Sequence, residues 1–304
     1  MMPECGPRPQ LIDRWMTDMT GAYISGFKAG IFKGHYTEVG GSGRPVIALH
    51  GFGESIFAWR HLAPALATTH QVHLIDLRGH GRSEMPRDGC YAPRCHAELL
   101  HEYIVEHQLT DVTVMGHSMG GGVALLLALQ ILAHGRASLA GIVLLDSMFY
   151  TQRVPLFISA MRTPLLGGTM VNLTPPAMST TIILREAFYD KRKITPEIVE
   201  AYAAALHRPG GRHALLQTAR QIIDTDASIE PELAAITAPA LIIWGANDTI
   251  VAPKVADDIG RLLRHSSVHI LPECGHCPNE EQPAATLALI QEFLRAALPG
   301  ASPG

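Results

Sequence analysis

Residues 112–122, Val-Thr-Val-Met-Gly-His-Ser-Met-Gly-Gly-Gly, decide the fold of this chain. A β-branched run leads into Gly-His-Ser-Met-Gly, and an apolar, helix-forming segment follows from Val123 to Ala133. Strand, sharp turn and helix form the context of a nucleophile elbow, which holds a serine hydroxyl clear of the sheet edge. We expect Ser118 in a strained left-handed conformation, which costs about 1–3 kcal/mol. Gly116 and Gly120 are then required because the turn leaves no room for a Cβ atom.

The composition is that of an ordinary globular protein. The 304 residues are 47% hydrophobic and 17% charged, which allows a large α/β domain with a sizeable core. The net charge of −4 predicts no nucleic-acid partner and no anionic membrane partner. No apolar run approaches the ~20 residues of a membrane-spanning helix. Because the first ten residues lack the apolar segment of a signal peptide, we expect a cytoplasmic location.

The cysteines indicate free thiols. There are five of them, an odd number without the spacing of a disulfide framework: Cys5, Cys90, Cys95, Cys274 and Cys277. Cys274 and Cys277 have the spacing of half a metal site, but the sequence offers no second pair to complete it. We therefore expect packing roles for these two, with no metal and no cofactor.

Strand and helix patterns alternate through the first half of the chain. A hairpin pattern spans Phe27–Val39, and buried strands are predicted at Pro45–Leu49, Val72–Ile75, the elbow strand and Gly141–Asp146. Helices are predicted between them, near Trp59–Ala67 and Cys95–His107. Such alternation predicts a mostly parallel, doubly wound α/β sheet with helices on both faces.

The alternation of strand and helix patterns stops after Asp146. Up to residue 238 the sequence offers helices separated by Pro and Gly but no buried strand, and a stretch this long is too long for a loop. Strands resume at Ala240 and Ser267 before a closing helix from Pro283. We therefore predict three segments: 1–146 as the first part of the core, 147–238 as a helical cap, and 239–304 as the second part of the core.

Three residues at predicted strand ends suit nucleophilic catalysis. A serine hydroxyl needs a base within hydrogen-bond reach and an acid that orients the base. Ser118, Asp248 and His276 each follow a strand, and the carboxyl ends of parallel strands meet at one edge of the sheet. We predict Ser118 as nucleophile, His276 as general base and Asp248 as the orienting acid. Asp146, which also ends a strand, is the competing acid.

Backbone amides are expected to form an oxyanion hole for the tetrahedral intermediate. The Met119 N–H directly follows the nucleophile, and the Phe52 N–H lies in the glycine-rich loop after the Pro45–Leu49 strand. His50 in that loop is interpreted as a structural hydrogen-bonding residue. The segment from Asp76 to Ser83 is interpreted as a hydrogen-bonded loop that braces the site.

These motifs together resemble the α/β-hydrolase superfamily, in the form that carries a helical cap between strands six and seven. The matching segments are His50–Gly53, Asp76–Ser83, Gly116–Gly121, Asp248 and Gly275–Pro278. The resemblance implies a hydrolase, but the superfamily ranges from esterases, lipases and thioesterases to carbon–carbon bond hydrolases, epoxide hydrolases and dehalogenases. Epoxide hydrolases and dehalogenases attack with an aspartate, whereas the elbow residue here is Ser118. Carbon–carbon bond hydrolases often carry asparagine where this chain has His117.

The resemblance therefore implies cleavage of a carboxylic ester or thioester with a small to medium apolar acyl group. We expect His117, Phe149, Phe157 and Met161 to contact this small-molecule substrate, in a monomer or homodimer. The alternatives are a carbon–carbon bond hydrolase, a lyase or biosynthetic enzyme, or a ligand receptor of the same fold.

Overall fold

The computed structural model describes residues 22–149, 155–163, 165–222 and 229–296. Eight strands form one sheet in the order β1-β2-β4-β3-β5-β6-β7-β8. Their bounds are β1 Lys28–Phe32, β2 His35–Gly40, β3 Pro45–Leu49, β4 Gln71–Ile75, β5 Val112–His117, β6 Leu139–Leu145, β7 Ala240–Gly245 and β8 Ser266–Leu271. The β1–β2 and β2–β4 pairs are antiparallel and the other pairs are parallel. The predicted mostly parallel sheet is confirmed.

The helices cover both faces of this sheet and the region between β6 and β7. Their bounds are α1 Ala63–Leu66, α2 Pro93–Glu106, α3 Met119–His134, α4 Leu156–Arg162, α5 Leu166–Leu173, α6 Pro176–Ala187, α7 Pro196–His207, α8 Gly211–Gln221, α9 Glu230–Leu233, α10 Lys254–Leu262, α11 Pro278–Glu281 and α12 Pro283–Ala296. None of these described helices is long and apolar enough to cross a membrane.

The helix predicted near Trp59–Ala67 differs from the structure. A 3₁₀ turn occupies Ile56–Trp59, and the α-helix begins only at Ala63. Pro64 follows at the second helical position, where its missing N–H costs nothing because the first turn has no intrahelical acceptors. The proline thus favours a new helix start rather than one continuous helix.

The central strands are buried on both faces. All residues of β3, β5 and β7 are buried, as expected for parallel strands covered by helices on each side. Along β7, Ile242 and Trp244 belong to one hydrophobic cluster, while Leu241 and Ile243 belong to the other. This period-two alternation divides the core into two layers, one on each face of the sheet.

The segment between β6 and β7 is the one predicted to be a helical cap, and we call it the cap. Its described residues contain α4 to α9 and no strand. The sequence predicts helices here over Thr181–Phe188, Pro196–Leu206 and Arg212–Asp224. The helix α6 overlaps the first but begins earlier, and α7 and α8 correspond to the other two as far as they are described. The helices α4 and α5 were not predicted. Glycines at 167 and 168 mask α5 because glycine is a poor helix former, and Gly167 packs so closely on α4 that a Cβ would lie 2.0 Å from the Met161 carbonyl oxygen. The segment boundaries after residues 146 and 238 stay a prediction.

The prediction of free cysteines is wrong for one pair. Cys90 and Cys95 form a disulfide, with Cα atoms 6.1 Å apart. The pair spans the loop before α2 and the first turn of that helix, so a local turn brings the two thiols together although their spacing matches no disulfide framework. Cys274 and Cys277 are free and buried, in agreement with the predicted packing role, and Cys5 lies outside the described residues.

Candidate active site

Ser118 occupies the tight turn between β5 and α3. Its backbone has φ 50° and ψ −118°, and residues other than glycine rarely adopt a positive φ. A Cβ on Gly116 would lie 2.2 Å from the Gly120 carbonyl oxygen, and one on Gly120 would lie 2.2 Å from the Leu49 carbonyl oxygen. The predicted requirement for glycine on both sides of the serine is therefore confirmed. A Cβ on Gly120 would thus clash with the end of β3, whereas a Cβ on Gly116 would clash with Gly120 itself.

A hydrogen-bonded chain joins the three predicted residues. The Ser118 hydroxyl donates to His276 Nε2 at 2.9 Å, and His276 Nδ1 donates to Asp248 Oδ2 at 2.7 Å. The other carboxylate oxygen of Asp248 accepts the amides of Ile250 and Val251 at 2.7 and 3.0 Å. Burial raises the pKa of Asp248. The nearby charge and hydrogen bond of His276, together with the Val251 amide, outweigh burial and bring this pKa below its ordinary value. The acid is thus held ionised beside the base.

Asp146, the competing acid, lies behind Asp248. Its Oδ1 accepts the Gly245 amide at 3.0 Å, and the hydrogen bond from His276 goes to Asp248 instead. Burial and the negative charge of Asp248 hold the pKa of Asp146 well above its ordinary value. A neutral Asp146 fits a position where two adjacent carboxylates cannot both ionise at low cost.

Glu281, which the sequence did not single out, anchors the loop that carries His276. Its Oε1 accepts the Gly275 amide at 2.8 Å, and its Oε2 accepts the amides of Tyr189 and Asp190 at 2.8 and 3.0 Å. The His276 amide itself donates to the Ala187 carbonyl oxygen at 2.7 Å. The base is therefore fixed against the end of α6, a cap helix. The only sequence signal was an acid five residues after His276.

His117 and Glu54 form a buried ion pair beside the serine. His117 Nε2 donates to the His276 carbonyl oxygen at 2.7 Å, so the second nitrogen, 3.0 Å from Glu54 Oε2, also carries a proton. Burial lowers the pKa of His117, but the charge of Glu54 and these hydrogen bonds raise it above its ordinary value. In Glu54 burial raises the pKa, while His117 and the Gly51 amide lower it below its ordinary value.

The ion pair limits what His117 can offer to a substrate, and the predicted substrate contact stays a prediction. The ring borders the cavity, but both of its nitrogens are bonded within the protein. Its polar atoms hold the loops of the site together and are not free to bind a ligand. Glu54, the partner, was not predicted because its role depends on the close approach of two loops distant in sequence.

The two backbone amides predicted to form the oxyanion hole are those of Phe52 and Met119. Within the described part of the chain, neither the Phe52 N–H nor the Met119 N–H donates to a protein acceptor. Met119 is the first residue of α3, and amides at a helix N-terminus favour negative charge. The Phe52 loop is held by the Gly51 amide, which donates to Glu54 Oε2 at 2.7 Å.

The neighbouring loop braces this arrangement, as predicted. His50 Nδ1 donates to the Gly51 carbonyl oxygen at 2.8 Å, and its Nε2 accepts the Leu77 amide at 2.9 Å. Asp76 accepts the amides of Ile56 and Arg82, both at 2.7 Å. Burial lowers the pKa of His50 to about 3 and raises that of Asp76 to about 7. Both side chains therefore serve hydrogen bonding within the protein.

An apolar cavity of about 210 Å³ lies above Ser118, between the sheet edge and the cap. Phe157 and Met161 of α4, for which substrate contact is predicted, line it together with apolar residues of the other cap helices: Met170, Val171, Ile182, Ile183, Leu184, Leu206 and Leu215. Phe149 is not part of this lining, because its ring is buried in the hydrophobic core. The substrate contact predicted for Phe149 therefore has no support.

Two buried groups bring potential metal ligands within 4.8 Å of one another, Glu54 with His117 and Cys277, and Asp146 with Asp248 and His276. Each group contains a histidine whose two nitrogens already take part in protein hydrogen bonds. A metal needs a free nitrogen lone pair, so neither donor set fits a metal ion as arranged.

The chain is similar in sequence to known hydrolases. A family model described as "Alpha/beta hydrolase family" matches residues 46–289. The chain is 27% identical over 278 residues to "Uncharacterized hydrolase YugF" of Bacillus subtilis, covering 87% of this chain and 94% of that protein. It is 26% identical to a 2-hydroxymuconate semialdehyde hydrolase of Pseudomonas sp. strain CF600, covering 84% and 88%. It is 27% identical to a pimeloyl-[acyl-carrier protein] methyl ester esterase of Vibrio atlanticus, covering 80% and 91%.

Proposed function

The chain belongs to the alpha/beta hydrolase family, and on that premise we propose that it is a serine hydrolase that cleaves carboxylic esters or thioesters. The observation that carries the proposal is the continuous hydrogen-bonded chain from Ser118 through His276 to Asp248, at 2.9 and 2.7 Å. These distances suit proton transfer from a hydroxyl to an imidazole that a carboxylate orients.

In this mechanism Ser118 Oγ attacks the carbonyl carbon of the ester while His276 Nε2 takes the hydroxyl proton. The oxygen of the tetrahedral intermediate receives hydrogen bonds from the Phe52 and Met119 amides. His276 then returns the proton to the leaving alcohol or thiol, and an acyl group stays on Ser118. Water, deprotonated by His276, then attacks the acyl carbon. The bond to Ser118 Oγ breaks, His276 returns the proton to that oxygen, and the acid leaves. Asp248 keeps the imidazole oriented and stabilises its charged form.

The cavity supports a small to medium apolar acyl group. Its described lining is dominated by apolar cap residues and contains no lysine or arginine. A substrate part with a carboxylate or phosphate would leave its charge unpaired there, which is costly in an apolar site. Phe157 and Met161 face the space in which an acyl chain would lie. Methionine adapts its shape to ligands of different outline.

A carbon–carbon bond hydrolase is the second candidate. It is favoured by the similarity to the 2-hydroxymuconate semialdehyde hydrolase of Pseudomonas. The lining favours the ester instead, because a hydroxymuconate-type substrate carries a carboxylate. The described lining has no lysine or arginine, and the charge of His117 is already paired with Glu54.

Hydrolysis of p-nitrophenyl esters from acetate to dodecanoate tests the proposal, with wild type and Ser118→Ala compared side by side. We expect turnover by the wild type, with an optimum among short to medium chains, and a loss of about 10³-fold or more in the variant. A matched set of thioesters and 2-hydroxymuconate semialdehyde are then tested as substrates. Turnover of the semialdehyde but of no ester would assign the second candidate.

A further inference from the structure

The cap helices α4 to α6 expose an unusual amount of apolar side chain. Six of the ten large hydrophobic residues exposed in the described chain lie between residues 156 and 182. We call these six the cap apolar surface: Leu156, Leu165, Leu166, Leu173, Met178 and Ile182. Leu156, Leu165 and Leu173 are 85%, 87% and 78% exposed. Soluble monomers rarely leave such surface in water without a partner for it.

This surface is almost without charge. Residues 155–184 contain a single charged side chain, Arg162, and no acid. The same helices also line the cavity with apolar residues, Phe157 and Met161 from α4 and Ile183 from α6. They are therefore apolar both toward the candidate active site and toward solvent.

A basic cleft adjoins the cap apolar surface. No acidic side chain stands among its described lining residues. Five basic side chains line it: Arg87, His207, Arg208, Arg212 and His213. Arg212 Nη1 donates to the carbonyl oxygens of Asn172 and Thr174 at 2.8 and 3.2 Å. These two residues flank Leu173, so the Arg212 guanidinium lies next to the exposed leucine. The overall charge of −4 conceals this local excess of positive charge.

We propose that the cap apolar surface and the basic cleft dock the enzyme onto an anionic lipid surface. Leucine side chains would enter the boundary of the acyl chains while the exposed Arg87 contacts headgroup phosphates, the combination that holds proteins at such interfaces. Arg208 and Arg212 donate through Nη1 to backbone carbonyl oxygens, and they would add their positive charge to the attraction. A second copy of this chain fits less well. A two-fold contact through this surface would bring two basic clefts toward each other, and like charges would repel.

The proposal rests on the proposed ester hydrolysis only for the kind of substrate that reaches the cavity. An ester dissolved in the lipid layer would meet the apolar side of the cap helices before it meets Ser118. Docking itself needs no turnover, and it can be measured with a protein that lacks the nucleophile.

The experiment is vesicle sedimentation with the full-length Ser118→Ala protein. Vesicles of phosphatidylcholine alone are compared with vesicles that also contain phosphatidylglycerol, at low and high salt. We expect binding that is about tenfold tighter with phosphatidylglycerol and that weakens as salt screens the charges. Adding Leu165→Ser with Leu173→Ser should weaken binding about tenfold or more, and Arg87→Glu about fivefold or more.

Ile31→Ser is the matched control, since Ile31 on β1 is 64% exposed and lies outside the cap. It should leave vesicle binding unchanged. The same cap and cleft substitutions in the wild-type background should leave turnover of a short, water-soluble ester unchanged, because none of these side chains lines the cavity.

Three results would overturn the proposal. These are no binding to either vesicle at low salt, an equal loss of binding in Ile31→Ser, or a stable dimer that Leu165→Ser with Leu173→Ser dissociates while vesicles are not bound. The last result would assign the surface to a second copy of the chain. If Ser118→Ala binds vesicles as expected but wild type cleaves no ester, only the proposed function fails.

Discussion

His117 Nε2 donates a hydrogen bond to the carbonyl oxygen of His276 at 2.7 Å. The residue before the serine therefore holds the backbone of the candidate base. The other ring nitrogen pairs with Glu54, which also accepts the Gly51 amide. A single buried ion pair thus connects the loops of the nucleophile, the base and the Phe52 amide.

Replacement of Glu54 by leucine should be strongly destabilising. It leaves the buried charge of His117 without a partner, and breaking a buried pair in this way costs about 3–5 kcal/mol in the free energy of unfolding. Urea denaturation checks the value, with Glu98→Leu on the exposed side of α2 as the control. The control should change the free energy by no more than about 0.5 kcal/mol. Equal stability of Glu54→Leu and wild type would contradict the ion pair.

The same pair predicts a pH window for this stability difference. His117 has a higher pKa in the folded state than in the unfolded state, where it is ~6.5. The stability that this adds is fully present below pH ~6.5 and is lost as pH rises through the pKa of the folded state. A lowered pKa in Glu54 adds stability that is present above ~4.3 and is lost as pH falls. The gap between wild type and Glu54→Leu should therefore be largest between about pH 4.5 and 6.5. A gap that grows steadily toward pH 9 would count against this assignment.

Asp146→Asn should distinguish the roles of the two adjacent carboxyl groups, Asp146 and Asp248, in catalysis. We expect kcat/KM to stay within about threefold of wild type, because Asp146 is not bonded to His276, whereas Asp248→Asn should lower kcat about 10⁴-fold. The raised pKa of Asp146 means that folding binds a proton there, so wild-type stability falls as pH rises above ~3.9. Asp146→Asn should become more stable relative to wild type over that rise. Ester kinetics and urea denaturation at several pH values measure both effects, and a large loss of kcat in Asp146→Asn would refute the assignment.

Truncation of the cavity lining should change the preferred chain length. Phe157→Ala and Met161→Ala enlarge the space above Ser118, and we expect kcat/KM for longer p-nitrophenyl esters to rise about tenfold relative to acetate. Leu156→Ala is the matched control on the same helix, because Leu156 is 85% exposed. Unchanged profiles in both cavity variants would show that these side chains do not limit the acyl group.

The sequence predicted the features that local patterns determine. Apolar runs located the core strands, and the glycines around Ser118 predicted a turn whose geometry admits no Cβ atom. The order of Ser118, Asp248 and His276 at strand ends was sufficient to bring them together, because parallel strands end at one edge of the sheet.

Features that depend on long-range approach were missed. Glu54 pairs with the His117 ring of the elbow, and Glu281 accepts backbone amides of two other segments. No local pattern marks a buried acid that will find such donors. Phe149 resembles Phe157 in sequence, yet one ring packs in the core and the other in the cavity wall. The net charge of −4 is an average over the chain, so it does not show that Arg87, Arg208 and Arg212 line one cleft. The prediction of no anionic membrane partner stays a prediction.

The most direct test of the central claim is the mass of the intact protein after rapid acid quench during turnover of p-nitrophenyl butyrate. The account predicts one added butyryl group in the wild type, located by peptide mapping on Ser118, and none in Ser118→Ala. His276→Ala should show little adduct, because the serine then lacks its base. Turnover by Ser118→Ala at the wild-type rate, or an adduct on another residue, would contradict the account.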